Sequence, residues 1–275
     1  MCRLFAFRST GPLCGQASLC AAGNSLAAQS RRDARGESHR DGWGLASFDG
    51  DGRPHVTKSL QAACDDRAFD DLARSVVTTT LVVHVRQASV GNTALENTHP
   101  FVHGRWVFAH NGTLEDFAAR KGPLLSAIPD DLRQMIRGDT DSEHVFLFWL
   151  GRLRAAAGGL DRSPSVDTIT ATFQQTTKLL DGWFPTHQGE ESKFNFVVAD
   201  GRLLAATRWG HALACRERRG NGVTALSVRP LHADETFRAV EIASEPTEGD
   251  GWREVPDRTL VVVDERLDVH TASLA

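Results

Sequence analysis

The chain is 275 residues long, and its 41% hydrophobic and 24% charged residues are close to the average for globular proteins. This composition excludes intrinsic disorder and collagen-like repeats, and it provides enough apolar residues for a sizeable core. The 31 Lys and Arg residues against 35 Asp and Glu residues give a net charge of −4, which lacks the basic surface of a nucleic-acid-binding protein. We therefore expect small polar molecules, and not nucleic acids, as partners.

Short runs rich in β-branched and aromatic residues predict strands at intervals along the whole chain. Apolar residues with helical spacing predict helices between some of these strands. Because no long parallel β-α-β alternation is evident, the pattern indicates a layered α+β protein. The predicted strands are residues 2–8, 43–48, 55–60, 79–85, 105–109, 194–199, 203–207, 224–228, 237–242 and 260–263, and the predicted helices are residues 17–29, 66–77, 142–157 and 165–180.

Two of the predicted helices should pack in different ways. Helix 142–157 carries six consecutive apolar residues and should be covered on both sides, as in an αββα sandwich. Helix 165–180 is amphipathic and should lie at the surface, with Gly182 as its stop signal.

Three polar stretches, residues 30–41, 185–193 and 245–256, predict long loops of the kind that often carry function. Because predicted strands continue on both sides of every loop, none resembles an interdomain linker, and we predict one domain over residues 1–275.

Signals for a membrane or secretory protein are missing from the sequence. The longest strictly apolar run, residues 145–150, is far shorter than the roughly 18 to 20 residues of a membrane-spanning helix. Arg8 interrupts the first apolar stretch before it reaches the length of a signal-peptide core, so we expect a cytoplasmic protein without membrane contact. The five cysteines are odd in number and form no C-x-x-C pair, which argues against a disulfide framework or a zinc ribbon.

Cys2 is a candidate nucleophile, because removal of the initiator methionine would make it the first residue of the mature chain. Its thiol would then lie beside its own α-amine. That amine, with a reference pKa of about 7.7 to 8.0, can accept the thiol proton and later donate one to a leaving amine. N-terminal threonine nucleophiles use the same arrangement. The alternative is that Cys2 is only part of a terminal strand.

Two strand ends carry further candidate residues. A strand ends at Arg86, whose guanidinium could bind a carboxylate through two hydrogen bonds or form an ordinary surface salt bridge. Residues 105–112, RWVFAHNG, lead a strand into Asn111 and Gly112, and Asn-Gly is typical of a type I′ hairpin turn. The functional alternative is an oxyanion hole, in which the Asn111 amide and the Gly112 N–H face the oxygen of a tetrahedral intermediate.

Residues 138–144, GDTDSEH, fit the start of a helix, with Thr140 and Glu143 as a capping box. Asp141 would lie in the first turn, where the helix dipole favours a carboxylate that can also bind an ammonium group. Capping alone would explain this segment.

Residues 41–44, DGWG, predict a tight turn before a strand, with Trp43 in a structural role. The histidines, His99 and His103 among them, show no metal-ligand spacing. We therefore predict no metal site.

The order of these motifs along the chain resembles the class II glutamine amidotransferases of the N-terminal-nucleophile hydrolase superfamily. The elements that carry the resemblance are M-C-R at 1–3, D-G-W-G at 41–44, H-V-R at 84–86, H-N-G at 110–112 and D-T-D-S-E at 139–143. R-Q-A at 86–88 and ALENTHPF at 94–101 are most similar to the stand-alone YafJ-type branch of this family.

The resemblance implies a four-layer αββα sandwich of two antiparallel sheets. It also implies roles for six residues: Cys2 as the nucleophile, Asn111 and Gly112 as the oxyanion hole, Arg86 as the ligand of the glutamine α-carboxylate, Asp141 as the ligand of its α-ammonium, and Ser89 as a further substrate contact.

The implied activity is hydrolysis of the γ-amide of glutamine or of a γ-glutamyl amide, through a γ-glutamyl thioester, without a metal or organic cofactor. Two alternatives stay open. One is hydrolysis of a larger γ-glutamyl conjugate, as by the ergothioneine-pathway hydrolase of the same superfamily, and the other is an inactive module that binds a ligand or a partner subunit. Synthase members add a domain that consumes ammonia; here an acceptor-enzyme subunit is not identified. The loop at residues 30–41 is the candidate for selecting the leaving group.

Overall fold

The computed structural model describes residues 2–220, 229–230 and 236–274. Two antiparallel sheets lie face to face, and helices cover their outer faces. The strands are β1 (Arg3–Cys14), β2 (Trp43–Phe48), β3 (Pro54–Ser59), β4 (Val77–Val85), β5 (Phe101–His103), β6 (Trp106–Asn111), β7 (Asn195–Ala199), β8 (Leu204–Arg208), β9 (Ala214–Arg219), β10 (Arg229–Pro230), β11 (Arg238–Ala243), β12 (Arg253–Glu254), β13 (Thr259–Val263) and β14 (Val269–Ser273). The helices are α1 (Leu26–Arg31), α2 (Arg67–Ser75), α3 (Phe117–Arg120), α4 (Gly122–Ala127), α5 (Asp130–Arg133), α6 (Asp141–Ala157) and α7 (Val166–Trp183), with a π-helical turn at Ala17–Ala21 and a 3₁₀ turn at Leu95–Asn97.

Each sheet draws its strands from distant parts of the chain. The β1 sheet has the order β12-β9-β11-β1-β4-β2-β3, and β10 also pairs with β1. The β6 sheet has the order β14-β13-β8-β7-β6-β5. These antiparallel sheets with helices on both outer faces confirm the predicted four-layer αββα sandwich.

Alternation along β1 explains how the layers form. Leu4 and Ala6 point into the core between the two sheets, whereas Phe5 and Phe7 point to the helices on the outer face. Successive side chains of a strand face opposite sides of a sheet, so a strand that is apolar at every position can serve two cores.

Helix α6 is buried on both sides, as its apolar sequence predicts. Residues 141–151 of this helix are all buried, between the β6 sheet and α7. Phe146 stacks on Phe108 of β6 with ring centroids 5.2 Å apart. Helix α7 buries one face and exposes the other, which confirms its predicted amphipathic character.

The predicted stop of α7 at Gly182 is wrong, because the helix continues to Trp183. Trp183 packs on Phe148, and the next residue, Phe184, is buried in the same core. Aromatic packing therefore holds the last turn in place beyond the glycine.

The predicted helix 17–29 is also wrong as a single element. The chain forms a π-helical turn and then restarts as α1, where the Ser25 hydroxyl accepts a hydrogen bond from the Ala28 N–H. Asn24, in the break, donates its side-chain amide to the Pro246 carbonyl, so a tertiary contact interrupts the helical pattern.

The predicted strands coincide with observed strands, except that residues 224–228 lie outside the described residues. The structure adds β5, β9, β10, β12 and β14, which are short or rich in charged and polar residues and so lack the apolar signal. Within the described part of the chain, no helix is long and apolar enough to cross a membrane.

Replacement of Phe108 should test the core under α6. Phe108 is fully buried, so we expect Phe108→Ala to lower the free energy of unfolding by about 3–5 kcal/mol. Val102, on the neighbouring strand, is 41% exposed, and Val102→Ala should change it by less than about 0.5 kcal/mol. Equal losses in the two variants, measured by denaturant unfolding, would contradict this packing.

Candidate active site

Strand ends from both sheets meet at one end of the sandwich. The register pairs Arg3 of β1 with Val85 of β4, so the start of β1 lies beside the end of β4. In the other sheet, Asn111 at the end of β6 pairs with Asn195 at the start of β7. A cavity of about 320 Å³ lies between these ends, lined by Cys2, Gln87, Ala88, Ser89, Asn111, Gly112, Thr113, Glu115, Lys193 and His211.

Cys2 places its thiol against the backbone of Gln87. The sulfur accepts a hydrogen bond from the Gln87 N–H and donates to the Gln87 carbonyl, both at 3.3 Å. Burial raises the pKa of the thiol, although the Gln87 N–H and the positive charges of Arg86 and Arg3 act in the opposite direction. The thiol is therefore protonated at neutral pH, and it needs a base before it can act as a nucleophile.

Asn111 and Gly112 do not form the hairpin turn that is the structural alternative. Asn111 ends β6 and pairs with β7, which lies more than 80 residues further along the chain. Its side-chain oxygen is buried and has no hydrogen-bond partner among the described residues. Both residues line the cavity with Cys2. The pair is thus placed where an oxyanion hole would be needed.

The His110 side chain helps to fix the backbone around Gly112 through hydrogen bonds. Its Nε2 donates to the Lys193 carbonyl at 2.8 Å, and Nδ1 lies 2.9 Å from the Ser142 hydroxyl. Burial lowers the pKa of His110, against the opposing charge of Asp141, so the imidazole is neutral near pH 7. The Lys193 N–H in turn donates to the Thr113 carbonyl. Residues 111–113 are therefore fixed from two sides.

Asp141 is buried at the start of α6 and does not line the cavity. Its carboxylate accepts hydrogen bonds from the Leu114 N–H at 2.8 Å and the Ser142 N–H at 2.7 Å. Thr140 caps the helix as predicted, by accepting from the Glu143 N–H. The Glu143 carboxylate instead accepts from the N–H groups of residues 137 and 138 in the preceding turn, so only the Thr140 half of the predicted capping box is formed.

Arg86 is also buried outside the cavity lining. Its guanidinium donates to the carbonyls of Val90, Gly91 and Asn92 at 3.0 to 3.2 Å. Burial lowers its pKa, but the guanidinium remains charged. The structure thus brings together Cys2, Ser89, Asn111 and Gly112 around one cavity, and it places Arg86 and Asp141 in the layer that supports the cavity wall.

The DGWG segment supports the same wall. Trp43 is fully buried and donates its indole N–H to Asp66 at 2.9 Å, which confirms its structural role. Gly42 has a φ of +108°, a backbone conformation that glycine adopts readily. Asp41 accepts a hydrogen bond from the Ala88 N–H at 2.8 Å, so this turn holds one side of the cavity.

Sequence reasoning missed several residues of the cavity wall, notably Lys193 and His211. Both lie next to strand ends, Lys193 just before β7 and His211 just after β8, at the edge where β6 ends. Their position depends on strand pairing, which no local motif reveals. Burial lowers the pKa of His211 to about 3, with the charge of Lys193 adding to the effect, so its imidazole is neutral at neutral pH.

Among the described residues, no group of three or more His, Cys, Asp or Glu side chains is arranged to hold a metal ion. The polar groups of the cavity wall are hydroxyls, amides, one ammonium, one carboxylate and one imidazole. This set can bind a polar substrate through hydrogen bonds around the thiol.

Gly112→Ala should damage the site, because a β-carbon there would lie 2.1 Å from the Lys193 carbonyl oxygen and 2.4 Å from His110 Nε2. We expect turnover to be lost and the free energy of unfolding to fall by about 1–3 kcal/mol. The control is Gly182→Ala in α7, where a β-carbon meets nothing within 4 Å and should not reduce stability. Wild-type turnover in Gly112→Ala would contradict the described packing.

The chain is similar to one described protein family and to several named proteins. The family described as glutamine amidotransferases class-II matches residues 1–269. The gamma-glutamyl-hercynylcysteine sulfoxide hydrolase of Mycobacterium tuberculosis is 29% identical over 238 residues, which are 86% of this chain and 80% of the hydrolase. YafJ of Escherichia coli is 28% identical over 179 residues, 61% of this chain, and the match covers only 60% of YafJ.

A solved structure shares the fold. The class II glutamine aminotransferase domain protein of Silicibacter pomeroyi aligns with a TM-score of 0.63 and 18% identity, over 98% of each chain. The sandwich is therefore that of the N-terminal-nucleophile hydrolases. The family match over almost the whole length, together with this fold, shows that the chain belongs to the class II glutamine amidotransferases.

Proposed function

We propose that this protein is a cysteine amidohydrolase that cleaves the γ-amide of glutamine or of a γ-glutamyl amide, with Cys2 as its N-terminal nucleophile. The observation that carries the proposal is the shared cavity of the Cys2 thiol and the Asn111–Gly112 pair. A nucleophile and oxyanion donors must reach the same carbonyl group, and these residues come from different sheets. We also propose one domain over residues 1–275, because both sheets combine strands from the two halves of the chain.

The first half of the reaction forms a thioester. The α-amine of Cys2, exposed by removal of Met1, takes the thiol proton, and the sulfur attacks the γ-carbonyl carbon. The Asn111 side-chain amide and the Gly112 N–H stabilise the resulting oxyanion. The α-amine of Cys2 then gives its proton to the leaving nitrogen, and the carbon–nitrogen bond breaks. Ammonia or the leaving amine departs, and the γ-glutamyl group remains on the sulfur.

The second half releases the acyl group. The same α-amine takes a proton from water, and the oxygen attacks the thioester carbonyl. Collapse of this second intermediate breaks the carbon–sulfur bond, returns the proton to the sulfur and frees the γ-carboxylic acid. Because Cys2 supplies both nucleophile and base, the raised pKa of its thiol does not prevent reaction.

Roles for Arg86, Asp141 and Ser89 follow from the family resemblance. We propose that Arg86 binds the α-carboxylate of the substrate and Asp141 its α-ammonium, while Ser89 adds a contact from the cavity wall. Both charged groups are held by backbone hydrogen bonds in the described structure, so substrate binding would exchange or add to these bonds.

A larger γ-glutamyl conjugate is the second candidate substrate. The Mycobacterium tuberculosis relative, whose name denotes such an activity, aligns with 86% of this chain. Assays of glutamine against a panel of γ-glutamyl amides separate the two candidates, because a specialised hydrolase should show a high kcat/KM for one conjugate alone. Strong activation of glutaminase turnover by a specific protein in a cell extract would instead favour an amidotransferase subunit.

The nucleophile assignment predicts a chain that has lost Met1. Intact-mass measurement of active protein should show loss of one methionine, and a γ-glutamyl diazoketone should alkylate Cys2. Cys2→Ala should abolish turnover and labelling, whereas Cys215→Ala, which replaces a thiol of β9 outside this cavity, should retain both. Full activity in a chain that quantitatively keeps Met1 would disprove the amine as base.

Kinetics should separate the oxyanion donor from the substrate ligands. Asn111→Ala should lower kcat by roughly 10²- to 10³-fold with a smaller change in KM, because its contact strengthens in the transition state. Arg86→Ala and Asp141→Ala should mainly weaken binding, by about 1.5–3 kcal/mol, since each removes a charged hydrogen bond. Thermal unfolding checks that the variants are folded. Unchanged kinetics in all three would remove these assignments.

A further inference from the structure

A buried cluster of ionisable side chains lies beside the nucleophile, and the reaction scheme above does not use it. It consists of Arg3, Asp33 and His39, which are 4%, 6% and 0% exposed. Arg3 follows Cys2 and begins β1, and the other two residues come from the polar loop at residues 30–41. We call this group the Arg3–Asp33–His39 cluster.

The cluster forms a continuous chain of hydrogen bonds that ends on the nucleophilic residue. Arg3 Nη1 donates to the Cys2 carbonyl at 3.1 Å, and Nη2 donates to Asp33 Oδ2. His39 Nε2 lies 3.0 Å from the same Asp33 oxygen. A second carboxylate, that of Glu245, approaches Arg3 Nη2 at 3.3 Å. Through Arg3, the loop therefore holds the main chain of Cys2.

Charges in the cluster are well defined. Burial alone would raise the pKa of Asp33, but hydrogen bonds from the Glu37 N–H and His39, together with the charge of Arg3, hold it below its ordinary value. Burial and the charge of Arg3 lower the pKa of His39. At neutral pH the cluster is thus an ionised Arg–Asp pair with a neutral imidazole that donates to the carboxylate.

Stability is a weak explanation for such a cluster. Buried ion pairs lose much hydration, and apolar residues of similar volume are often equally stable or more so. A loop turn also needs only the two hydrogen bonds that Asp33 Oδ1 accepts from the N–H groups of Arg35 and Glu37. The turn does not require the ion pair between Asp33 and Arg3. This pair connects the loop to the Cys2 carbonyl through Arg3.

An N-terminal nucleophile has a particular need for such support. After loss of Met1, no preceding residue would fix the backbone of Cys2, and its amine and thiol could rotate together about the Cα–C bond. The Gln87 hydrogen bonds hold the sulfur, and the Arg3 hydrogen bond holds the carbonyl on the other side of Cα. Together, these contacts fix the direction of the amine.

We propose that Arg3 and Asp33 are positioning residues that hold Cys2 in its reactive orientation, with His39 fixing the Asp33 carboxylate. This inference rests on the proposed role of Cys2 as nucleophile. It gives the loop at residues 30–41 a part in catalysis that differs from selection of the leaving group.

The electrostatic surroundings of Cys2 give the proposal a distinct signature. Arg3 on β1 and Arg86 at the end of β4 face it, and Lys193, Glu115 and His211 line the same cavity. Asp33 and Glu245 balance the charge of Arg3. Loss of the Asp33 charge should therefore lower the pKa of the Cys2 thiol, whereas loss of the Arg3 charge should raise it.

The experiment compares Asp33→Asn and Arg3→Met with the control Asp65→Asn, which breaks an exposed ion pair between Asp65, just before α2, and Arg40 of the same loop. We expect kcat to fall about 10²-fold in both test variants, with KM changed by less than about threefold, because misplacement of a reacting group affects kcat. The control should match wild type. Alkylation of Cys2 by iodoacetamide, followed by peptide mass mapping, gives the pH midpoint of the thiol without turnover. This midpoint should move to lower pH in Asp33→Asn and to higher pH in Arg3→Met.

Wild-type kcat and an unchanged midpoint in both variants would overturn the proposal. If either variant fails to fold, His39→Gln and His39→Leu replace it: glutamine can still donate to Asp33 and should retain kcat, while leucine should lower it. Equal kcat in these two variants would also count against the proposal. Failure of the proposed function is separate, because it appears as activity retained in Cys2→Ala.

Discussion

The register of β1 against β4 is the constraint on which the site depends. Because Arg3 pairs with Val85, Cys2 lies beside Arg86 and Gln87, and its sulfur meets the Gln87 backbone. A shift of one residue would turn every side chain of β1 to the opposite face and would move the thiol away from the cavity. The apolar alternation of β1 fixes this register, since Leu4 and Ala6 must enter the inter-sheet core while Phe5 and Phe7 face the helices.

The second sheet holds the Asn111–Gly112 pair, the proposed oxyanion hole, in a similarly rigid form. Gly112 fits between His110 and the Lys193 carbonyl with no space for a side chain. His110 connects through the Ser142 hydroxyl to Asp141 at the start of α6. Helix α6 is buried on both sides, so the position of the Asn111–Gly112 pair is set by the core and does not depend on a surface loop. Catalytic geometry of this kind requires such rigid support.

The sequence could predict those parts of the structure whose signals are local. Alternating and helical patterns predicted most strands and the two long helices, and short motifs predicted that Cys2, Asn111 and Gly112 have chemical roles; the structure places these three residues on one cavity. Local signals gave wrong element boundaries where tertiary contacts determine the structure. Gly182 does not stop α7, because packing of Trp183 on Phe148 outweighs the glycine signal.

Residues that depend on strand pairing or on loop closure could not be found from the sequence. Lys193 and His211 reach the cavity only because β6, β7 and β8 are neighbours. Asp33 looks like an ordinary polar loop residue until the loop folds back on Arg3. The family resemblance suggested roles for Arg86 and Asp141, but it gave no sign that both are held by backbone groups next to the cavity.

Detection of a covalent intermediate tests whether Cys2 is the nucleophile. The protein is mixed with substrate, quenched in acid during turnover, digested and mapped by mass spectrometry. We expect a γ-glutamyl thioester on a terminal peptide that begins with Cys2. Turnover with no adduct on any cysteine, or an adduct on Cys14, Cys20, Cys64 or Cys215, would contradict it.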